Sequence, residues 1–181
     1  MIKTPIIKTI GHSNHPIERF VDLLKGGGVN LLVDVRSVPY SRRFPQFSRE
    51  KLAKSLEAAG VSYIWEGEAL GGKSGGSYIA AAARPAFKDA LGRLIERSAD
   101  TTLCLMCAEK EPLDCHRTVL VSRRLAERGA AIEHLLADGS ARPHAEIEER
   151  LLAKRAGGDL FDDRNRLLEQ AYEARERAMK A

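Results

Sequence analysis

Apolar positions along the chain follow two rhythms. The runs "PIIKTI", "NLLVDV", "VSYIWE", "TTLCLM" and "AAIEHLL" are short and rich in β-branched or other apolar residues, and they read as buried strands. Between them the apolar residues recur at helical spacing. Ile17, Phe20, Val21 and Leu24 follow an i, i+3, i+4, i+7 pattern after Pro16, and the triplet Gly26, Gly27, Gly28 ends that helix. A second helix is expected from Ser48 as N-cap, burying Leu52 and Leu56 and stopping before Gly60. A third starts near Pro85 and buries Phe87, Leu91, Leu94 and Ile95. A fourth follows residue 114, with Asp114 as N-cap, Val121 and Leu125 on its inner face, and Gly129 after its end.

Strands alternating with helices predict a three-layer α/β domain, with a largely parallel sheet of about five strands flanked by helices. From Pro143 the pattern changes. Ile147, Leu151 and Leu152 precede a break at "GGD", and Phe161, Leu167, Leu168, Ala171 and Tyr172 then recur amid mixed charge. This stretch predicts a C-terminal amphipathic helical tail over 158–181, appended to one domain over 1–157. Such a helix either packs on its own body or associates with a partner or a second copy.

A chain of 181 residues suits one domain with a substantial core. The net charge of +4 is unevenly spread: from Glu146 onward there are eight basic and nine acidic residues, so the positive excess belongs to the body. Three cysteines, no even framework and no cationic-then-apolar leader predict a reducing, cytoplasmic setting. No apolar run approaches the roughly 18 residues that a membrane span requires.

Ligands of open parallel sheets bind beyond the carboxyl ends of the strands, and the polar residues cluster there. "GHSN" follows the first strand, "DVRSVPYSRRF" the second, Glu66 and "LGGKSGGSY" the third, and "CAEKEPLDCHR" the fourth. A thiol at Cys115 would be acidified by the helix N-terminus and by Arg117. The same geometry would equally cradle a phosphate. Thiol-phosphatase spacing fails, because the residue six beyond Cys107 is Leu113 where an arginine is required. Cys107, Cys115 and His116, with His12 or His134, make a metal set only if the fold brings them together, and the spacing itself assigns no metal.

Asp34 and Glu109 are candidate general acids or bases, each with a structural alternative: an ion pair of Asp34 with Arg36, or an orienting contact from Glu109 to His116. Six basic residues and one acidic residue between Arg36 and Lys54, interleaved with Tyr40, Phe44 and Phe47, carry the charge and stacking groups that single-stranded nucleic acid uses, and equally those of a solvated surface. "GGKSGGS", with Lys73, lacks the arrangement of a P-loop and reads as a flap over the rim.

The ordered set "TIGHSN", "LLVDVRSVPYSRRFPQFS", "VSYIWEGEALGG", "LMCAEKEPLDCHR" and "EHLLADG", over roughly residues 5 to 140, resembles the domain of unknown function 488 family. The resemblance implies one compact α/β domain with a polar face. It maps the family's recurring polar residues onto His12, Asp34, Arg36, Cys107, Glu109, Cys115, His116, Arg117 and His134.

The expectation is therefore an enzyme acting on a phosphate-bearing nucleotide or nucleic acid by hydrolysis or base modification. Asp34, Glu109, Cys115 and His116 are its candidate catalytic residues, and His12, Arg36, Tyr40, Arg42, Lys73 and Arg117 its candidate substrate-binding residues. The alternatives are a non-catalytic binder of nucleic acid or a modified nucleotide, and a Cys/His metal or redox protein. The sequence names no cofactor.

Overall fold

The structure is a computed structural model that describes residues 5–73, 76–154 and 163–181. Five strands are parallel: β1 (Ile6–Gly11), β2 (Leu31–Asp34), β3 (Ser62–Trp65), β4 (Leu103–Cys107) and β5 (Ala131–Leu135). A sixth, β6 (Ala141–Pro143), pairs antiparallel with β5, giving the order β3-β2-β4-β1-β5-β6. The expected five strands thus become six. The extra one has three exposed residues and carries no apolar signal.

The helices are α1 (Ile17–Gly26), α2 (Arg49–Ala58), the short α3 (Gly67–Leu70) and α4 (Tyr78–Ala83), α5 (Pro85–Arg97), α6 (Arg123–Ala126), α7 (His144–Ala153) and α8 (Arg164–Lys180). A π-helical stretch, Arg117–Ser122, leads directly into α6. Ser48 stands at the N-terminus of α2, but its hydroxyl is engaged with the backbone of Ser41 instead of the helix.

Alternation along the strands sorts the core into two layers. Leu31, Val33, Val35, Leu103, Leu105 and Cys107 face α5, the π-helical stretch and α7. Leu32, Cys104 and Met106 face α1 and α2, through Phe20, Leu24, Leu52 and Leu56. Helices therefore flank the sheet on both faces. Leu168, Ala171 and Tyr172 of α8 pack on the first layer. The break expected at "GGD", Phe161 and the 157/158 boundary lie outside the described residues. Among the described residues no helix is long and apolar enough to cross a membrane.

The strand order locates the site. The connection from β1 runs through α1 on one face toward β2, and the connection from β4 runs through α6 on the other face toward β5. The adjacent strands β1 and β4 thus send their chains apart, and a crevice opens at their carboxyl ends. The backbone continues the pairing into the loops: His12 donates to the Cys107 carbonyl at 2.8 Å, and Ser13 to that of Ala108 at 2.9 Å.

Candidate functional site

A cleft of about 1260 Å³ lies over this crevice. His12, Arg36, Cys107, Glu109 and His116 border it, and Tyr40, Arg43, Lys73 and Lys110 stand around it. Four of the strand ends that the sequence marked as polar meet there.

Asp34, the last residue of β2, is fully buried and fully engaged. Its carboxylate takes a bidentate grip from Arg36 (Nε at 2.9 Å, Nη2 at 2.6 Å), the Arg36 backbone N–H at 3.1 Å and the Tyr63 hydroxyl at 2.8 Å. Burial, and then the charge of Asp34, hold the Tyr63 hydroxyl in its protonated form. Asp34 does not border the cleft. It acts there through Arg36, the structural alternative that the sequence left open. Tyr63→Phe removes one charge-assisted hydrogen bond and should cost about 1.5 kcal/mol, read as a shift in the urea midpoint. An unchanged midpoint would show that this hydroxyl contributes nothing net.

Arg36 also donates to the Phe47 carbonyl at 2.8 Å and turns Nη1 toward His12 Nε2 at 3.4 Å. His12 stacks on Phe47 at 4.2 Å. Its Nδ1 donates to the Ser13 carbonyl at 2.8 Å, which leaves the Nε2 lone pair facing the guanidinium. Burial, helped by Arg36, lowers the His12 pKa to about 4, so the ring is a neutral acceptor. Ser13 has a positive φ of 50°, a conformation that only surrounding contacts maintain in a non-glycine residue.

At the floor, His116 Nε2 donates to the Val35 carbonyl at 2.9 Å, and Nδ1 lies 3.5 Å from Cys107 Sγ and 4.0 Å from Cys115 Sγ. Gly72 makes this possible, because a Cβ there would come within 2.7 Å of the imidazole. Burial alone would raise the Cys115 pKa. The hydrogen bond from Cys107, the charge of Arg117 and the imidazole outweigh it and hold Cys115 well below the usual thiol range. Cys107 goes the other way: burial and the neighbouring Cys115 sulfur keep it protonated. Burial would lower His116, but Cys115 more than offsets this and raises it. Glu109 is accessible from the cleft yet enclosed by protein, and burial followed by Cys115 raises its carboxyl.

The structure corrects two expectations about the turn into the fourth helix. Asp114 is not the N-cap: it closes a 3₁₀ turn over Pro112–Asp114 and is held by Arg175. Cys115 takes the capping place, with extended backbone and its sulfur accepting the Arg117 N–H at 3.4 Å. Arg117, expected to hold phosphate, is 0 % exposed and does not border the cleft. Nη1 donates to the Glu109 carbonyl at 2.6 Å, Nη2 to that of Lys110 at 3.5 Å and Nε to the Thr9 hydroxyl at 3.4 Å. It shapes the loop from beneath.

Cys115 is likewise buried behind Cys107. Arg42 stands outside the cleft lining, and Tyr40, 65 % exposed, is on its rim. His134 lies on β5 beneath Thr9, away from the cleft.

Sequence reasoning passed over Lys110, Ser37 and Tyr78 in the cleft, and Arg175 and Lys180 of α8. Lys180 donates to the Gly76 carbonyl at 2.7 Å, and Glu176 accepts the Tyr78 N–H at 2.7 Å. The tail residues had read only as a charged face, with no signal for these long-range contacts.

A largely parallel α/β sheet, a switch point and a cleft bordered by a thiol, an imidazole and a carboxyl define an α/β protein with a preformed pocket at the strand ends. The family model described as domain of unknown function DUF488 matches residues 16–124, more than half of the sequence. The chain belongs to that family. Comparison with curated proteins and with solved structures found no match.

Proposed function

We propose that the protein is an enzyme acting on a phosphate-bearing nucleotide or nucleic acid, by hydrolysis or base modification. The observation that carries this reading is the division of the cleft. Arg43, Lys73 and Lys110 stand around it, and among the described residues no carboxylate pairs with any of them. Cys107, Glu109 and His116 occupy its floor. Phosphate would sit on the unpaired cations and on Arg36 Nη1, and the reacting end would reach the floor. There Glu109 and His116 move protons, with Cys107 as the thiol nearest the ligand. The cleft, about 1260 Å³, is wide enough to admit a nucleotide with room to spare. Three free cysteines fit a reducing, cytoplasmic setting.

A binder of single-stranded nucleic acid is the second reading, favoured by Tyr40 and Val38, 65 % and 59 % exposed beside Arg43. Self-association through α8 would have to use its outer charged face, since Leu168, Ala171 and Tyr172 pack on the body.

The test is a thermal-shift panel of inorganic phosphate, nucleosides, mononucleotides and short single strands, on wild type and Lys73→Ala/Lys110→Ala. A ligand at about 100 times its Kd contributes about 2.7 kcal/mol, which for a chain of this size is about 5 to 10 °C. A shift of that order, reduced in the double variant, supports the phosphate wall. Single-turnover incubation with the same ligand separates enzyme from binder. No shift with any member overturns both readings.

A further inference from the structure

The floor of the cleft holds a second arrangement, independent of the basic wall. Cys107 Sγ, Cys115 Sγ and His116 Nδ1 all lie within 4.8 Å of one another. A tetrahedral zinc ion, with Zn–S of about 2.3 Å and Zn–N of about 2.0–2.1 Å, sets S···N edges of about 3.6 Å and an S···S edge of about 3.8 Å. The observed S···N separations of 3.5 and 4.0 Å bracket the first of these.

The imidazole is oriented as a ligand would be. Its Nε2 meets the Val35 carbonyl, which can only accept, so Nε2 carries a proton and Nδ1 is the atom turned to the sulfurs. A backbone carbonyl on the far ring nitrogen is the usual outer support of a ligating histidine. Gly72 lies against the ring, and the Arg117 N–H fixes Cys115 Sγ, so the donors are held from both sides.

We propose that Cys107, Cys115 and His116 form a three-ligand site for a zinc-class divalent cation, whose fourth position opens onto the cleft and holds water or substrate. Two sulfurs and one imidazole select zinc or cobalt over magnesium or calcium. Three protein ligands with one open position are the pattern of catalytic and not structural zinc. The open side is defined by exposure: Cys107 and His116 border the cleft, while Cys115 closes the site from behind.

Glu109 borders the same cleft, and the nearby Cys115 adds to burial in raising its carboxyl; its carboxylate would take the proton of a metal-bound water. The metal site stands without the functional reading above, and with the ion bound Cys107 and His116 serve as ligands, which leaves Glu109 as the proton-moving group. Only the role of the bound water rests on that reading.

The test uses the full chain stripped with chelator and titrated with Co(II), then with Zn(II). The expected result is one ion per chain, with the thiolate-to-cobalt charge-transfer band and the intense visible bands of tetrahedral cobalt. Zinc should then displace the cobalt and raise the melting temperature of the wild type. Cys115→Ser and His116→Ala should lose at least tenfold in metal affinity, while Glu109→Gln keeps the ion.

Wild-type protein that shows neither the sulfur band nor a zinc-dependent melt overturns the site, whatever the variants do. It would leave a thiolate–imidazole pair instead. Metal binding without any phosphate-ligand shift would sink the proposed function and keep the site. A phosphate-ligand shift without metal would do the reverse.

Discussion

Arg117→Ala should cost the fold about 3 to 5 kcal/mol, near the upper end for a single substitution. The side chain is wholly buried, and truncation leaves the Glu109 and Lys110 carbonyls and the Thr9 hydroxyl without their donor. A buried polar group left unpaired costs about 1 to 3 kcal/mol, and the volume of the side chain becomes a cavity. Arg117→Lys should recover only part of this, because one ammonium cannot reproduce the forked contacts. Urea unfolding of the three proteins reads the effect. A loss below about 1 kcal/mol would mean that cleft water replaces the guanidinium.

The second large effect is acid sensitivity. From Arg117 a hydrogen-bond chain runs Thr9, His134, His144, Tyr172, Glu148, with separations of 2.8 Å, 2.9 Å, 3.0 Å and 3.0 Å after Thr9. Arg117 Nε can only donate, so Thr9 accepts from it and passes its own proton to His134 Nδ1. His134 Nε2 then donates to His144 Nδ1, His144 Nε2 to Tyr172, and Tyr172 to Glu148. Each ring donates once and accepts once, which requires both to be neutral.

Burial lowers His144 to about 4, and burial with the neighbouring ring holds His134 well below the usual imidazole range. Their contribution is fully present above about pH 6.5, the unfolded value. It is lost as pH falls toward 4, because the unfolded chain takes up those protons first. His144 alone gives a slope of about 1.4 kcal/mol per pH unit, or about 3 kcal/mol across the window. Denaturation midpoints between pH 7 and 4.5 should fall more steeply for wild type than for His144→Gln. Parallel slopes would show that the folded protein admits the proton without penalty.

What the sequence revealed follows from where the information is local. The central strands β2 and β4 were legible because every one of their residues is buried, so they appear as apolar runs, while β1, β3 and β5 showed through their β-branched and aromatic residues between turn signals. β6 was not, since pairing with β5 and not composition makes it a strand. His12, Arg36, Glu109 and His116 border one cleft because a switch-point fold places strand ends together. Arg117 was found but misplaced: the rule that helix N-termini attract anions said nothing of the carbonyls that capture it.

Gly11 explains that capture. A Cβ there would come within 1.8 Å of the Glu109 carbonyl, so the absent side chain lets that loop fold down onto β1. Such an approach joins residues about a hundred positions apart and leaves no trace in either segment alone. Asp114 and Cys115 teach the same lesson at short range. The residue preferred as a cap lost its place to a cysteine whose sulfur receives the Arg117 N–H.

The position of β1 also bears on how the protein acquires its structure. The earliest strand in the chain lies between β4 and β5, paired Lys8 to Cys104 on one side and Ile6 to Ala131 on the other. It has no neighbour from its own half of the sequence, so it must stay an unpaired apolar segment until the later strands arrive. Contacts of such long sequence separation place folding in the slow regime, with β1 exposed to wrong pairing in the interval. The backbone bond from His12 to Cys107 extends that pairing, so the floor of the cleft should assemble as the centre of the sheet closes.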